Sequence, residues 1–212
     1  MKNKLVSLIV ALASALNVNA SSGSLDVDYT SKYNIRNVVL DTESVTTGIN
    51  LSKSWSGINF HAEYQLSKSL DSVDIDDVYS IGVNEISLGD KTNLYIGLYN
   101  RDASNSESLE FKVEAQFDTV LSPTLSLYRE VDDNVYTGEI SISRNFSAPV
   151  DFTVTGIAGA TESVVSDEYV SAGVRVPYKL SETACLHLDG NILHSSEYGE
   201  SQWFGVGASF NF

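Results

Sequence analysis

From Leu25 to the final Phe212, apolar side chains recur at every second position in one segment after another, and this period constrains the fold more than any other feature of the chain. A period of two belongs to a strand with one apolar and one polar face, whereas a helix repeats at three and four. The segments are Leu25-Val27-Tyr29; Val45, Ile49, Leu51 and Trp55; Ile58-Phe60-Ala62-Tyr64-Leu66; Tyr79-Ile81-Val83; Leu94-Ile96-Leu98; and Leu109-Phe111-Val113-Ala115-Phe117. Then come Leu125-Leu127; Tyr136-Gly138-Ile140-Ile142; Phe152-Val154-Gly156-Ala158; Val170-Ala172-Val174-Val176-Tyr178; Leu186-Leu188-Gly190-Ile192; and Phe204-Val206-Ala208-Phe210-Phe212. They predict about twelve strands. In the fourth, the apolar phase slips after Val83 to Ile86 and Leu88, which predicts a bulge or an early strand end.

The intervening polar stretches are expected to alternate in length. Short ones are Ser56-Gly57, Gly89 to Thr92, Ser122-Pro123, Ser147 to Pro149 and Ser181 to Thr183; longer ones run near Asn34 to Glu43, Lys68 to Asp76, Arg101 to Ser108, Val131 to Asn134, Thr161 to Asp167 and Ser195 to Ser201. An up-and-down barrel with both chain ends at the short-turn rim needs one more long loop than short turn, as found here. Even strand number, short turns at one end and strands of about 9 to 11 residues are the marks of a membrane-spanning β-barrel.

Residues 1–20, MKNKLVSLIVALASALNVNA, carry two lysines, an apolar run from Leu5 to Leu16 and a Val18-Asn19-Ala20 cleavage pattern. They are expected to be a secretory signal peptide, since the run is shorter than the about 20 residues of a membrane helix. Residues 21–212 would then form the barrel. Against 13 Lys plus Arg stand 28 Asp plus Glu, a net charge of -15, which argues against a partner whose phosphates must be neutralised, so no nucleic acid is expected. A single cysteine, Cys185, excludes an intrachain disulfide and a thiolate metal cluster.

What lies between the apolar positions is polar enough to face water inside a barrel: His61, Glu63, Gln65, Glu110, Lys112, Glu114, Gln116, Glu139, Arg175, His187, Asp189 and Asn191. The first eleven are the candidate pore-lining residues. Aromatics fall where strands would meet the membrane surface, with Trp55, Phe117, Phe146, Tyr178 and Phe212 at the turn end and Tyr33, Tyr79, Tyr136, Tyr169 and Phe204 at the loop end. Two girdles are expected.

The terminal WFGVGASFNF, with Phe204, Val206, Ala208, Phe210 and Phe212 on one face, resembles the carboxy-terminal signal of bacterial outer-membrane barrels. That resemblance implies recognition by the barrel-assembly machinery, with Phe204, Val206, Phe210 and Phe212 as its determinants. The stretch from Asp28 to Tyr64 resembles the opening of the TorF family of porins: Tyr33, Arg36, Gly48 and Phe60 fall on the family pattern, while Asn37 stands where a glycine is expected. The resemblance implies an outer-membrane pore without naming a solute.

The same residues admit other chemistries. His187 and Asp189, two apart on one face, could orient an imidazole or supply two metal ligands, but a hydrogen-bond network satisfies the same pattern. No histidine of His61, His187 and His194 clearly faces lipid as an outer-membrane phospholipase would require. Asp76, Asp77 or Asp132 with His194 could imitate a rim protease. The loop from Asp71 to Asp77 holds four aspartates, yet lacks the glycine of a calcium loop. The expectation is therefore an all-β, antiparallel up-and-down transmembrane barrel in the bacterial outer membrane, not an enzyme, with no catalytic, metal or cofactor site. It would pass small solutes or ions through a polar, cation-favouring lumen, with outer-membrane lipid and lipopolysaccharide around it. A plugged structural or surface-interaction barrel is the alternative, and a membrane-embedded hydrolase the third.

Overall fold

A computed structural model describes residues 22–35, 38–40, 43–55, 58–70, 75–88, 91–103, 106–131, 134–147, 150–162 and 166–212. The expected signal peptide lies outside them, as do Arg36, Asn37, Asp71 to Asp74 and Asp132. Among the described residues every regular element is a strand: β1 (Ser22–Thr30), β2 (Tyr33–Ile35), β3 (Val38–Leu40), β4 (Ser44–Trp55), β5 (Ile58–Ser69), β6 (Ile75–Ser87), β7 (Thr92–Ala103), β8 (Ser106–Phe117), β9 (Thr124–Glu130), β10 (Tyr136–Ser147), β11 (Asp151–Glu162), β12 (Asp167–Lys179), β13 (Ala184–Ser195) and β14 (Gly199–Asn211).

All but β2 and β3 form one closed antiparallel barrel, in which each strand from β4 onward pairs with its neighbour in sequence. The circle closes at β1, which pairs with β14 on one side and with β4 on the other. β2 and β3 pair only with each other, in the connection that leads from β1 to β4. At the rim where β1 starts and β14 ends, Gly23 and Phe212 exchange two backbone hydrogen bonds, of 2.9 and 3.0 Å. The phase slip after Val83 is a bulge: Val83 stands opposite Ile96 but Ile86 opposite Leu94, so β6 has one more residue than β7 over that interval.

The two faces are inverted relative to a water-soluble protein. Among the described residues the only buried large apolar side chains are Tyr169 and Leu193, while Ser44, Ser67, Glu110, Ser126, Thr137, Asp167, His187 and Ser195 are buried. Alternating with them, Leu98, Leu125, Leu127, Ile140, Val170, Leu188, Ile192 and Phe204 stand outward and exposed, Leu127 to 66%. An apolar belt of this extent on a soluble surface would drive aggregation, whereas hydrocarbon satisfies it.

Of the expected girdle residues, Phe146, Tyr178 and Phe212 at the turn end and Tyr136 and Phe204 at the loop end are exposed on the outer face. Phe146 also stacks on Phe152 at a centroid separation of 4.9 Å. The side chains of Trp55, Tyr33 and Tyr79 lie outside the description. Tyr169 is a correction. It is 4% exposed and its hydroxyl donates to Glu139 inside the barrel, because the outward phase of β12 is even, set by Val170 and Val174.

The connection lengths are a second correction. β7 ends at Ala103 and β8 begins at Ser106, with those two residues paired, so no long loop occupies Arg101 to Ser108. Likewise β13 ends at Ser195 and β14 begins at Gly199. Polar residues continue these ladders, since strand pairing needs only backbone groups and a water-facing rim tolerates polar side chains on both faces. The connection from β1 to β4 is the longest, and that from β8 to β9, expected to be a short turn at Ser122-Pro123, runs from Asp118 to Pro123.

Candidate functional site

The polar interior holds the candidate site, and closure of the barrel decides which of its residues meet. The register places the eleven candidates on the side opposite the apolar belt, and it brings in two acids that sequence spacing did not single out. Asp26 and Asp28 alternate with Leu25 and Val27 on β1, whose neighbours are β14 on one side and β4 on the other.

Along the β1 seam the network is charged. His187 Nε2 donates to Asp28 Oδ1 at 2.6 Å, a contact between residues 159 apart in sequence, and stands 3.5 Å from Asp189 Oδ2. Asp189 accepts two bonds from Arg175, from Nε at 2.7 Å and from Nη2 at 3.0 Å, the paired geometry that suits a guanidinium and a carboxylate. Asp26 accepts from Asn50 at 3.0 Å and from Ser24 at 2.9 Å. β14 runs between β1 and β13, and the Asp28–His187 bond passes directly over Gly207, which faces both residues in register. A Cβ on Gly207 would collide with the Asp28 carboxylate and the His187 ring, so the glycine is there for close approach.

Two cavities open onto this network. One, of about 550 Å³, is lined by Asp28, Gln65, Arg175, Asp189, Asn191 and Trp203 among others. The second, of about 290 Å³, is bounded by Asp26, Asp28, Asn50, Glu63, Gln65, Arg175 and His187. Asp28, Thr46, Gln65 and Arg175 border both, so the cavities adjoin. Arg175 is open to them, its side chain 58% exposed.

The β7 to β9 wall is different in kind. Lys112 Nζ lies 2.6 Å from Glu114 and stands over the rings of Tyr95 and Tyr128 at 5.2 Å and of Tyr99 at 6.0 Å. Ser126 Oγ donates to Glu114 at 3.0 Å. The Tyr95 hydroxyl shares hydrogen bonds with Tyr99 at 2.7 Å and with His61 Nε2 at 2.6 Å. Lys112 is only 16% exposed and Glu110 is buried. The cation is thus held between a carboxylate and aromatic faces rather than in water. Glu139 of β10 borders this wall through a hydrogen bond with Tyr128, and it also accepts one from Tyr169 of β12. Gln116, by contrast, is exposed near the turn rim.

His194 stands on the outer face near the loop rim, 63% exposed and 3.8 Å from Glu200. His187 and Asp189 do not form an isolated dyad, since each has a stronger partner in Asp28 and Arg175. Among the described residues no group of three His, Cys, Asp or Glu side chains could hold a metal ion. The side chains of Asp76 and Asp77 lie outside the description.

A closed, lipid-belted antiparallel barrel with a polar interior defines the fold of bacterial outer-membrane porins. Among solved structures, the KdgM porin is similar at 14% identity over 89% of this chain and 99% of its own, with a TM-score of 0.63. A KdgM porin described as in complex with disordered oligogalacturonate gives a TM-score of 0.62, and the NanC porin gives 0.60 at 12% identity over 88% of this chain. No protein-family profile matches the sequence, and no curated protein sequence matches it.

Proposed function

We propose that this protein is an outer-membrane porin that lets small solutes or ions diffuse passively through its lumen, surrounded by lipid and lipopolysaccharide and assembled by the barrel machinery. The adjoining cavities along the β1 seam carry this reading, because they combine open space with fixed polar groups. The porin fold shared with the KdgM and NanC structures supports it. Acids outnumber bases around the cavities, with Asp26, Asp28, Glu63 and Asp189 against Arg175 and Lys32, so the passage favours cations.

Conductance of the refolded, heat-modifiable protein in a planar bilayer under a salt gradient tests this. Discrete steps with a cation-selective reversal potential are expected. The tyrosine and lysine layer on β7 to β9 gives the plugged barrel its one favourable observation, and silence from correctly folded protein would establish that alternative.

A further inference from the structure

Among the described residues, the interior has a filled wall on β7 to β9 and open cavities along the β1 seam. The layer of Tyr95, Tyr99, Tyr128, Lys112 and Glu114 joins β7, β8 and β9, with side chains stacked and bonded to one another. Both cavities lie on other strands, bordered by β1, β4, β5 and by β11 to β14. Resting on the porin reading, we propose that the passage is off-centre, running along the β1 seam, and that its charge preference is set by Asp26, Asp28 and Glu63 rather than by the acids of β8.

Two physical differences separate these sets of acids. Glu114 is neutralised by Lys112 at 2.6 Å and Glu110 is buried, so neither offers an open carboxylate to a passing ion. Asp26, Asp28 and Glu63 border the second cavity, and the guanidinium that lines it with them, Arg175, is turned to Asp189 by two hydrogen bonds. A fixed charge acts on an ion through the water between them, and it acts most where low-dielectric walls narrow that water. The acids that matter are those on the cavity wall. Asp28 is further held in place by His187, which makes it a positioned charge.

The test has two independent arms. In a Cys185→Ser background, Gln65→Cys and Ser126→Cys are exposed to a charged, membrane-impermeant thiol reagent in the folded state. Gln65→Cys is expected to react at least about tenfold faster, since Gln65 borders both cavities while Ser126 is buried against Glu114. Equal rates would overturn the off-centre passage whether or not the protein conducts. In the second arm, an Asp26→Asn and Glu63→Gln double variant is expected to lower the cation-to-anion permeability ratio about twofold or more, with a smaller change from Glu114→Gln. The reverse order would overturn the assignment. Absence of any conductance together with a clear labelling contrast would overturn the porin reading, and the charge assignment with it, while leaving the position of the open side established.

Discussion

Small residues beneath large ones give this interior its precision. Gly207 lets Asp28 and His187 meet across β14, and Gly159 lies under the ring of Tyr169 in the same way. Gly207→Ala forces a methyl group into the Asp28–His187 contact, an overpacking expected to cost about 1–3 kcal/mol. Gly190→Ala is the matched control, because a Cβ there meets nothing within 4 Å. The midpoint of urea unfolding, read from the heat-modifiable band, should fall for the first variant and hold for the second. At this scale the sequence was informative about parity and silent about partners. Alternation alone puts Glu63, Arg175 and Asp189 on the polar face, but nothing within the segment from Leu25 to Tyr29 distinguishes Asp26 and Asp28 from any other polar alternates. Their importance comes from the seam, which brings β13 within reach of β1. Tyr169 was misplaced for a related reason: as an aromatic at a strand end it fits a girdle, and only the even phase of Val170 and Val174 turns it inward.

Individual strands were easier to read than the links between them. The slip from Val83 to Ile86 is a local event, and the bulge follows from it directly. Connection lengths require knowing where pairing stops, and polar residues such as Arg101, Asp102, Glu107 and Ser108 go on pairing beyond the apolar belt. One rim link shows what replaces loop length. Buried Asp167 at the start of β12 accepts hydrogen bonds from Ser195 Oγ at 2.9 Å, Ser196 Oγ at 2.8 Å and the Glu197 backbone amide at 3.0 Å, tying down the turn from β13 to β14. Asp167→Ala leaves those donors without their acceptor and should cost about 1–3 kcal/mol. Limited proteolysis is the sensitive readout: cleavage between Ser195 and Gly199 is expected to accelerate, with the rest of the barrel resistant. Cleavage elsewhere first would show that Asp167 supports the whole wall rather than this turn.

For the whole molecule, closure depends on the first and last strands of the barrel meeting. Phe212 contributes a backbone amide and a carbonyl to Gly23 as well as its exposed ring. Deleting Phe212 should therefore lower the folded yield in detergent or lipid without any assembly factor, whereas Phe212→Leu retains both backbone bonds and should refold like the parent. In cells the Leu variant should also assemble poorly if the terminal aromatic ring is the recognised signal. Comparable assembly of that variant and the parent would remove Phe212 from the signal and leave it a role in the seam alone.

The filled side of the interior also stands behind the shortest strand of the barrel. β9 spans only Thr124–Glu130, and it contributes Ser126 and Tyr128 to the layer built around Lys112. Side chains there brace a stretch of wall whose hydrogen-bond ladder is brief. Anyone enlarging the bore by trimming the tyrosines would be removing a buttress, and the barrel would be expected to part between β8 and β10 before it conducted faster. A wider channel from this scaffold begins with a longer β9.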